Sequence, residues 1–125
     1  EFYPTQETQG FISLIQSYDS FFCTASTLCQ EAFAIAIPTV ICTIADNQIA
    51  VEEGLRKTST VFSAGDIRKK DPLQIKDSLK SFLNTQTVNP DSTFMLAKMV
   101  TQQRNLVDGQ SGIRLLEIFK NLAGR

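Results

Sequence analysis

Short, continuous apolar runs alternate along the chain with stretches of helical period. "GFISLIQSY", from Gly10 to Tyr18, reads as a helix and leads into the brief run Phe21-Phe22-Cys23, a buried-strand candidate. Thr39 to Ile44, "TVICTI", is rich in β-branched residues and apolar on both faces, the pattern of an interior strand in a parallel sheet. "TVFSAG", from Thr60 to Gly65, is a third strand, and Phe2 and Tyr3 are candidates for a fourth. Helices are expected from near Thr27 to about Ile35, and from Asp46 or Asn47 to near Lys57. Thr27 and Gln30 have capping-box spacing, while Asp46 and Asn47 are good N-caps. Strand, helix, strand, helix implies right-handed crossovers with helices on both sheet faces. The expected fold is α/β: a Rossmann-like parallel sheet of about four strands, flanked by helices and followed by C-terminal helices.

The second half is helical throughout. Asp71-Pro72 pairs an N-cap with proline at the first helical position, ahead of an apolar stripe of Ile75, Leu79, Phe82 and Leu83. Asn89-Pro90 opens another helix, with Met95, Met99 and Leu106 at helical spacing as core filler, and Asp108-Gly109 closes it. "SGIRLLEIFKNLAGR" makes a final helix, with Leu115, Phe119 and Leu122 expected to face inward. With no repeat or internal linker, residues 1–125 read as one domain.

Charge and cysteine content narrow the function classes. A net charge of -1 leaves no basic surface for nonspecific nucleic-acid binding. The basic run Arg68 to Lys70 reads as a solvated loop. Cys23, Cys29 and Cys42 leave one thiol over in any disulfide scheme, and no histidine is present to complete a zinc site. Buried free thiols fit a reducing, cytoplasmic setting. Cys29, near a helix start, is a candidate nucleophile that lacks a histidine as partner base. No signal peptide or membrane-length apolar run is visible, and no metal or other cofactor is expected. "EFYP" opens straight into an apolar segment, so the chain reads as a fragment of a longer protein.

Candidate chemistry gathers where strands hand over to helices, because ligands of open parallel sheets bind beyond the carboxyl ends of the strands. At the first such junction, Thr24, Ala25, Ser26 and Thr27 allow close backbone approach at a helix start, which attracts phosphate. Ser26 and Thr27 add hydroxyls. Glu31, about one turn on, is suited to accept two hydrogen bonds from a cis-diol such as ribose. At the second junction, "IADNQIA", Asn47 and Gln48 carry uncharged donors and acceptors for sugar or phosphate. Helix capping at both junctions, with Glu31 solvated, accounts for the same residues without a ligand.

"CTASTLCQEAFAIAIPTVICTIADNQ" resembles the nucleotide-sugar-binding half of the UDP-2,4-diacetamido-2,4,6-trideoxy-altropyranose hydrolases of pseudaminic acid biosynthesis. It is similar also to spore-coat polysaccharide proteins and, more distantly, to the two-domain GT-B peptidoglycan N-acetylglucosaminyltransferases. In that superfamily a Gly- or Ser-rich loop precedes a helix whose ribose-binding glutamate lies seven residues before a proline, and Glu31 and Pro38 keep that spacing. "ADNQ" resembles the family's Asn-Gln after the next strand, and "LVDGQSGIRLLE" its closing element. The resemblance runs from about Gly10 onward. It departs in lacking loop glycines and in having no histidine, since the hydrolases' proposed catalytic histidine belongs to an N-terminal domain. It implies a UDP-sugar-binding C-terminal domain that uses Ser26, Thr27, Glu31, Asn47 and Gln48, carries no catalytic residue of its own and depends on that missing N-terminal domain. A glycosyltransferase donor-binding half and a non-catalytic binding or assembly module are the alternatives.

Overall fold

Phe21–Thr24 (β1), Thr39–Thr43 (β2) and Phe62–Asp66 (β3) pair in parallel, in the order β1-β2-β3. The structure, a computed structural model, describes residues 8–87 and 90–124. Phe2 and Tyr3 lie outside those residues, so the expected sheet of about four strands is a three-stranded sheet among the described residues. All five residues of β2 are buried, as its β-branched, two-sided apolar pattern requires of a central strand. Alternation divides it. Ile41 packs with Cys23, Cys29 and Phe33 on one face, while Val40 and Cys42 pack with Ala64, Phe82 and Met99 on the other.

The helices are Thr8–Gln16 (α1), Thr27–Ala34 (α2), Ile49–Lys57 (α3), Pro72–Thr87 (α4), Pro90–Leu106 (α5) and Ser111–Ala123 (α6). Single 3-10 turns, Asp46–Gln48 and Ile67–Lys69, precede α3 and follow β3. The strand order advances in one direction, so crossovers of one hand place α2 and α3 together on the Ile41 face. The opposite face is covered by α4 and by the part of α5 that carries Leu96 and Met99; the far end of α5 passes the entry ends of β2 and β3 and packs against α2. Both faces are therefore clothed by helices, as expected. Ile15 of α1 joins Ala32 and Ile37 in a smaller cluster beside α2.

Polar contacts fix the ends of these elements. Gln103 of α5 is fully buried, and its Nε2 donates to the Thr60 carbonyl (2.9 Å) and to Thr39 Oγ1 (3.4 Å), tying α5 to the entry ends of β2 and β3. Ala36 (φ 56°) and Ser59 (φ 57°) reverse the chain after α2 and α3 in the left-handed region, a conformation that costs a non-glycine residue about 1–2 kcal/mol. Asp71 caps α4 as expected: Leu73 N–H donates to its Oδ1 (2.6 Å), and Asp71 N–H donates back to Gln74 Oε1 (3.1 Å).

The last helices depart further from expectation. Phe82 and Met99 are buried, whereas Leu83, Met95 and Leu106 are about half exposed. α5 ends at Leu106, and Gly109 (φ 74°) makes the turn toward α6 two residues past Val107, instead of closing α5. Leu115, Phe119 and Leu122 do not face inward: they are 53%, 64% and 60% exposed, and the whole of α6 is exposed with them. Helical periodicity shows that one face is apolar, and it does not say what that face meets.

Candidate functional site

The first junction is built on buried backbone. Ala25 is buried, and its N–H donates to the Cys42 carbonyl (2.8 Å), carrying the β1–β2 ladder one residue past β1. Ser26 then occupies the N-cap position of α2 in extended conformation. Its side chain does not cap the helix; Ser26 Oγ pairs instead with Thr24 Oγ1 at 3.0 Å. The Thr27–Gln30 capping box is not formed, because the helix starts with Thr27 as its first residue and the cap position falls on Ser26. The Ser26 carbonyl accepts from Cys29 N–H (3.1 Å) and Cys29 Sγ (2.7 Å), which seats the first turn. The N–H groups of Thr27 and Leu28 have no carbonyl behind them and stay open to a ligand.

The second junction is held differently. Neither Asp46 nor Asn47 caps a helix: Ala45 takes the cap position of the 3-10 turn and Gln48 that of α3, both without a side-chain bond. Gln48 Oε1 accepts the Ile44 N–H at 2.9 Å. An N–H can only donate, so the carboxamide oxygen is committed to the backbone, and Gln48 offers the site its NH2 donors. Asp46 reaches across to Arg68, whose Nη2 donates to Asp46 Oδ1 at 2.8 Å. Among the described residues, the side chains of Thr27, Gln30, Glu31 and Asn47 make no hydrogen bond.

Both junctions open on one cavity of about 330 Å³, lined by Ala25, Ser26, Thr27, Gln30, Asn47, Gln48 and Val51. Four of the five residues singled out in the sequence thus meet. Glu31 is exposed on α2 and is not among the lining residues; Gln30 stands there instead. The helical spacing of Thr27 and Gln30, taken as a capping signal, was the available clue that both share this side of α2. The lining carries no ionisable side chain. What it presents is the open α2 terminus, the Gln48 donors and the uncommitted amides of Gln30 and Asn47.

A second cavity of about 480 Å³ shares Gln30 and Val51 with the first and is bounded by Leu55 and the α5–α6 turn. In that turn Asp108 pairs with Arg114, which joins the two ends of the "VDGQSGIR" element. The Gln110 N–H and then Arg114 hold the Asp108 carboxyl below its ordinary range. Arg68, read as part of a solvated run, is the residue that sequence reasoning missed. Its Nε and Nη2 fork onto Asp66 Oδ1 and Oδ2 at 2.9 and 2.8 Å. This hydrogen bonding pulls the Asp66 carboxyl well below the usual carboxylate range and pushes the guanidinium up.

The thiols are not poised for chemistry. All three are free and buried. Burial, reinforced by Cys29 and Cys42, pushes the Cys23 thiol up to about 12. Burial likewise raises Cys29, outweighing the backbone N–H bonds that would lower it, so it does not behave as an activated nucleophile. No cluster of three or more potential metal ligands exists among the described residues. No family model, curated protein or solved structure matches this chain.

Proposed function

We propose that this chain is the nucleotide-sugar-binding domain of a UDP-sugar hydrolase, with the α2 terminus receiving the diphosphate and Asn47 and Gln48 reading the sugar. The observation that carries this reading is the single cavity shared by Ser26, Thr27, Asn47 and Gln48. Ser26, Thr27 and Asn47 make no side-chain bond that caps a helix, and Gln48, whose Oε1 holds the Ile44 N–H, still has its NH2 donors to offer. Unpaired N–H groups at a helix start favour an anion, and uncharged amides read hydroxyl or acetamido groups without a counter-charge. The absence of ionisable groups from the lining supports a division of labour: this chain binds, and a second domain brings the base that activates water to displace UDP from the anomeric carbon. A glycosyltransferase would use the same donor-binding half with an acceptor in place of water. Among the described residues, no helix is long and apolar enough to cross a membrane.

Calorimetry with UDP and UDP-N-acetylglucosamine tests the reading. The chain is expected to bind both and to release no UDP from the sugar nucleotide in a coupled assay. Failure to bind either overturns it. Glu31→Gln and Gln30→Ala then locate the ribose. Loss of about 1–3 kcal/mol of UDP affinity in Glu31→Gln, the range for a charged hydrogen bond, supports the ribose role. A loss in Gln30→Ala alone moves the nucleoside into the groove toward Val51.

A further inference from the structure

We infer that Arg68 is a positioning residue that sets the Asn47-Gln48 turn against the cavity by holding Asp46; the inference rests on the nucleotide-sugar reading of that cavity. Arg68 lies in the 3-10 turn after β3, and Asp46 is the first residue of the turn after β2. Their bond, 2.8 Å long and spanning 22 residues, joins the exits of neighbouring strands. Asp46 has no burial to fix it, since its side chain is 87% exposed and its turn contains no buried residue. The turn is pinned at one end by the Ile44–Gln48 bond and at the other by Arg68.

An isolated surface ion pair contributes little, because two long side chains must be ordered to make it. Arg68 escapes that cost. Asp66, only 15% exposed, already grips its guanidinium in a two-toothed contact and also accepts its backbone N–H at 3.1 Å. Pairing with Asp46 therefore orders one short side chain against a fork fixed in advance. What this gains is the placement of the two amides that follow Asp46, so its loss is read in ligand affinity and local motion more than in global stability.

The test compares the wild-type chain with Arg68→Met, Asp46→Ala and the double variant. Titrations use UDP-N-acetylglucosamine, and amide hydrogen exchange is followed at Asn47, Gln48 and Ile49. Each single variant is expected to weaken binding roughly three- to tenfold, as small misplacement of a contacting group does. The double variant should be no weaker than Arg68→Met, because Asp46 acts through its contact with Arg68. Exchange at the turn should quicken while Thr39–Thr43 stays unchanged; the melting temperature should hold in Asp46→Ala, whereas Arg68→Met, which also strips Asp66 of its fork, melts lower. Wild-type affinity and exchange in Arg68→Met overturn the inference. So does a loss in Arg68→Met without one in Asp46→Ala, which would make Arg68 itself a ligand contact. If the wild-type chain binds no sugar nucleotide, the nucleotide-sugar reading falls, and unchanged exchange in the variants then sinks the tether as well.

Discussion

The two junctions that share the cavity are secured by opposite means. The first grows out of the core: Ala25, Cys29 and Phe33 are buried, and the ladder bond from Ala25 continues the sheet beneath the loop. The second contains no fully buried residue in its 3-10 turn or in α3; α3 meets the core through the half-buried Leu55, and the turn itself relies on the Gln48 carboxamide and the exposed Arg68–Asp46 pair. One side of the site is therefore fixed whenever the protein is folded. The other is adjustable, because surface contacts hold it and can be made or lost without unfolding.

The sharpest way to break the contrast is through the core. Phe33→Ala should cost about 3–5 kcal/mol, measured by denaturant unfolding, because it empties the fully buried seat of α2. A loss below about 1 kcal/mol would show that the first junction is not core-anchored. The same anchoring predicts a pH limit. The folded-state pKa of Cys23 is raised, so its contribution is complete below the ordinary thiol value of 9.0 and is lost as pH rises toward about 12. Melts between pH 8 and 11 should fall more steeply for the wild type than for Cys23→Ala; parallel curves would count against it.

Smaller effects sharpen the second side. Gln48→Glu keeps an acceptor for Ile44 N–H but replaces the outward donors with a carboxylate. UDP-N-acetylglucosamine affinity should fall by about 1.5–3 kcal/mol, with little change in melting. Unchanged affinity would remove Gln48 from the site. Least of all, Ser26→Ala should shift stability by only a few tenths of a kcal/mol, whereas loss of a working side-chain cap typically costs about 1 kcal/mol. A measured loss of cap size would mean that Ser26 caps α2 in solution.

The sheet was legible because two-sided burial leaves a mark that little else leaves. "TVICTI" contained its own assignment as a central strand, and the next residues placed Asn47 and Gln48 at its exit. Ser26 and Thr27 were equally placed by the run that ends in Cys23. What could not be read were relations between elements. The side of α2 that faces α3 across the cavity decides between Gln30 and Glu31, and a one-residue difference in helix start changes which residue caps. Arg68 was invisible for the same reason, since its partner Asp46 stands 22 positions away on another strand's exit. The α6 stripe was read correctly as amphipathic and wrongly as inward, because a pattern of period 3.6 names a face without naming its neighbour.

The strand order also carries a kinetic consequence. Parallel sheets fold slowly when their strands come from distant parts of a chain, because a long loop must close before any pairing is gained. Among the described residues, strands pair only with their neighbours in sequence: Phe21 with Thr39, and Val40 with Phe62. Each closure among these three strands spans one α-helix, and none of the three must wait for a later one to be inserted between two already formed. The sheet can zip from either edge, one crossover at a time, and the exit of each strand, where the cavity forms, is completed as the next strand docks.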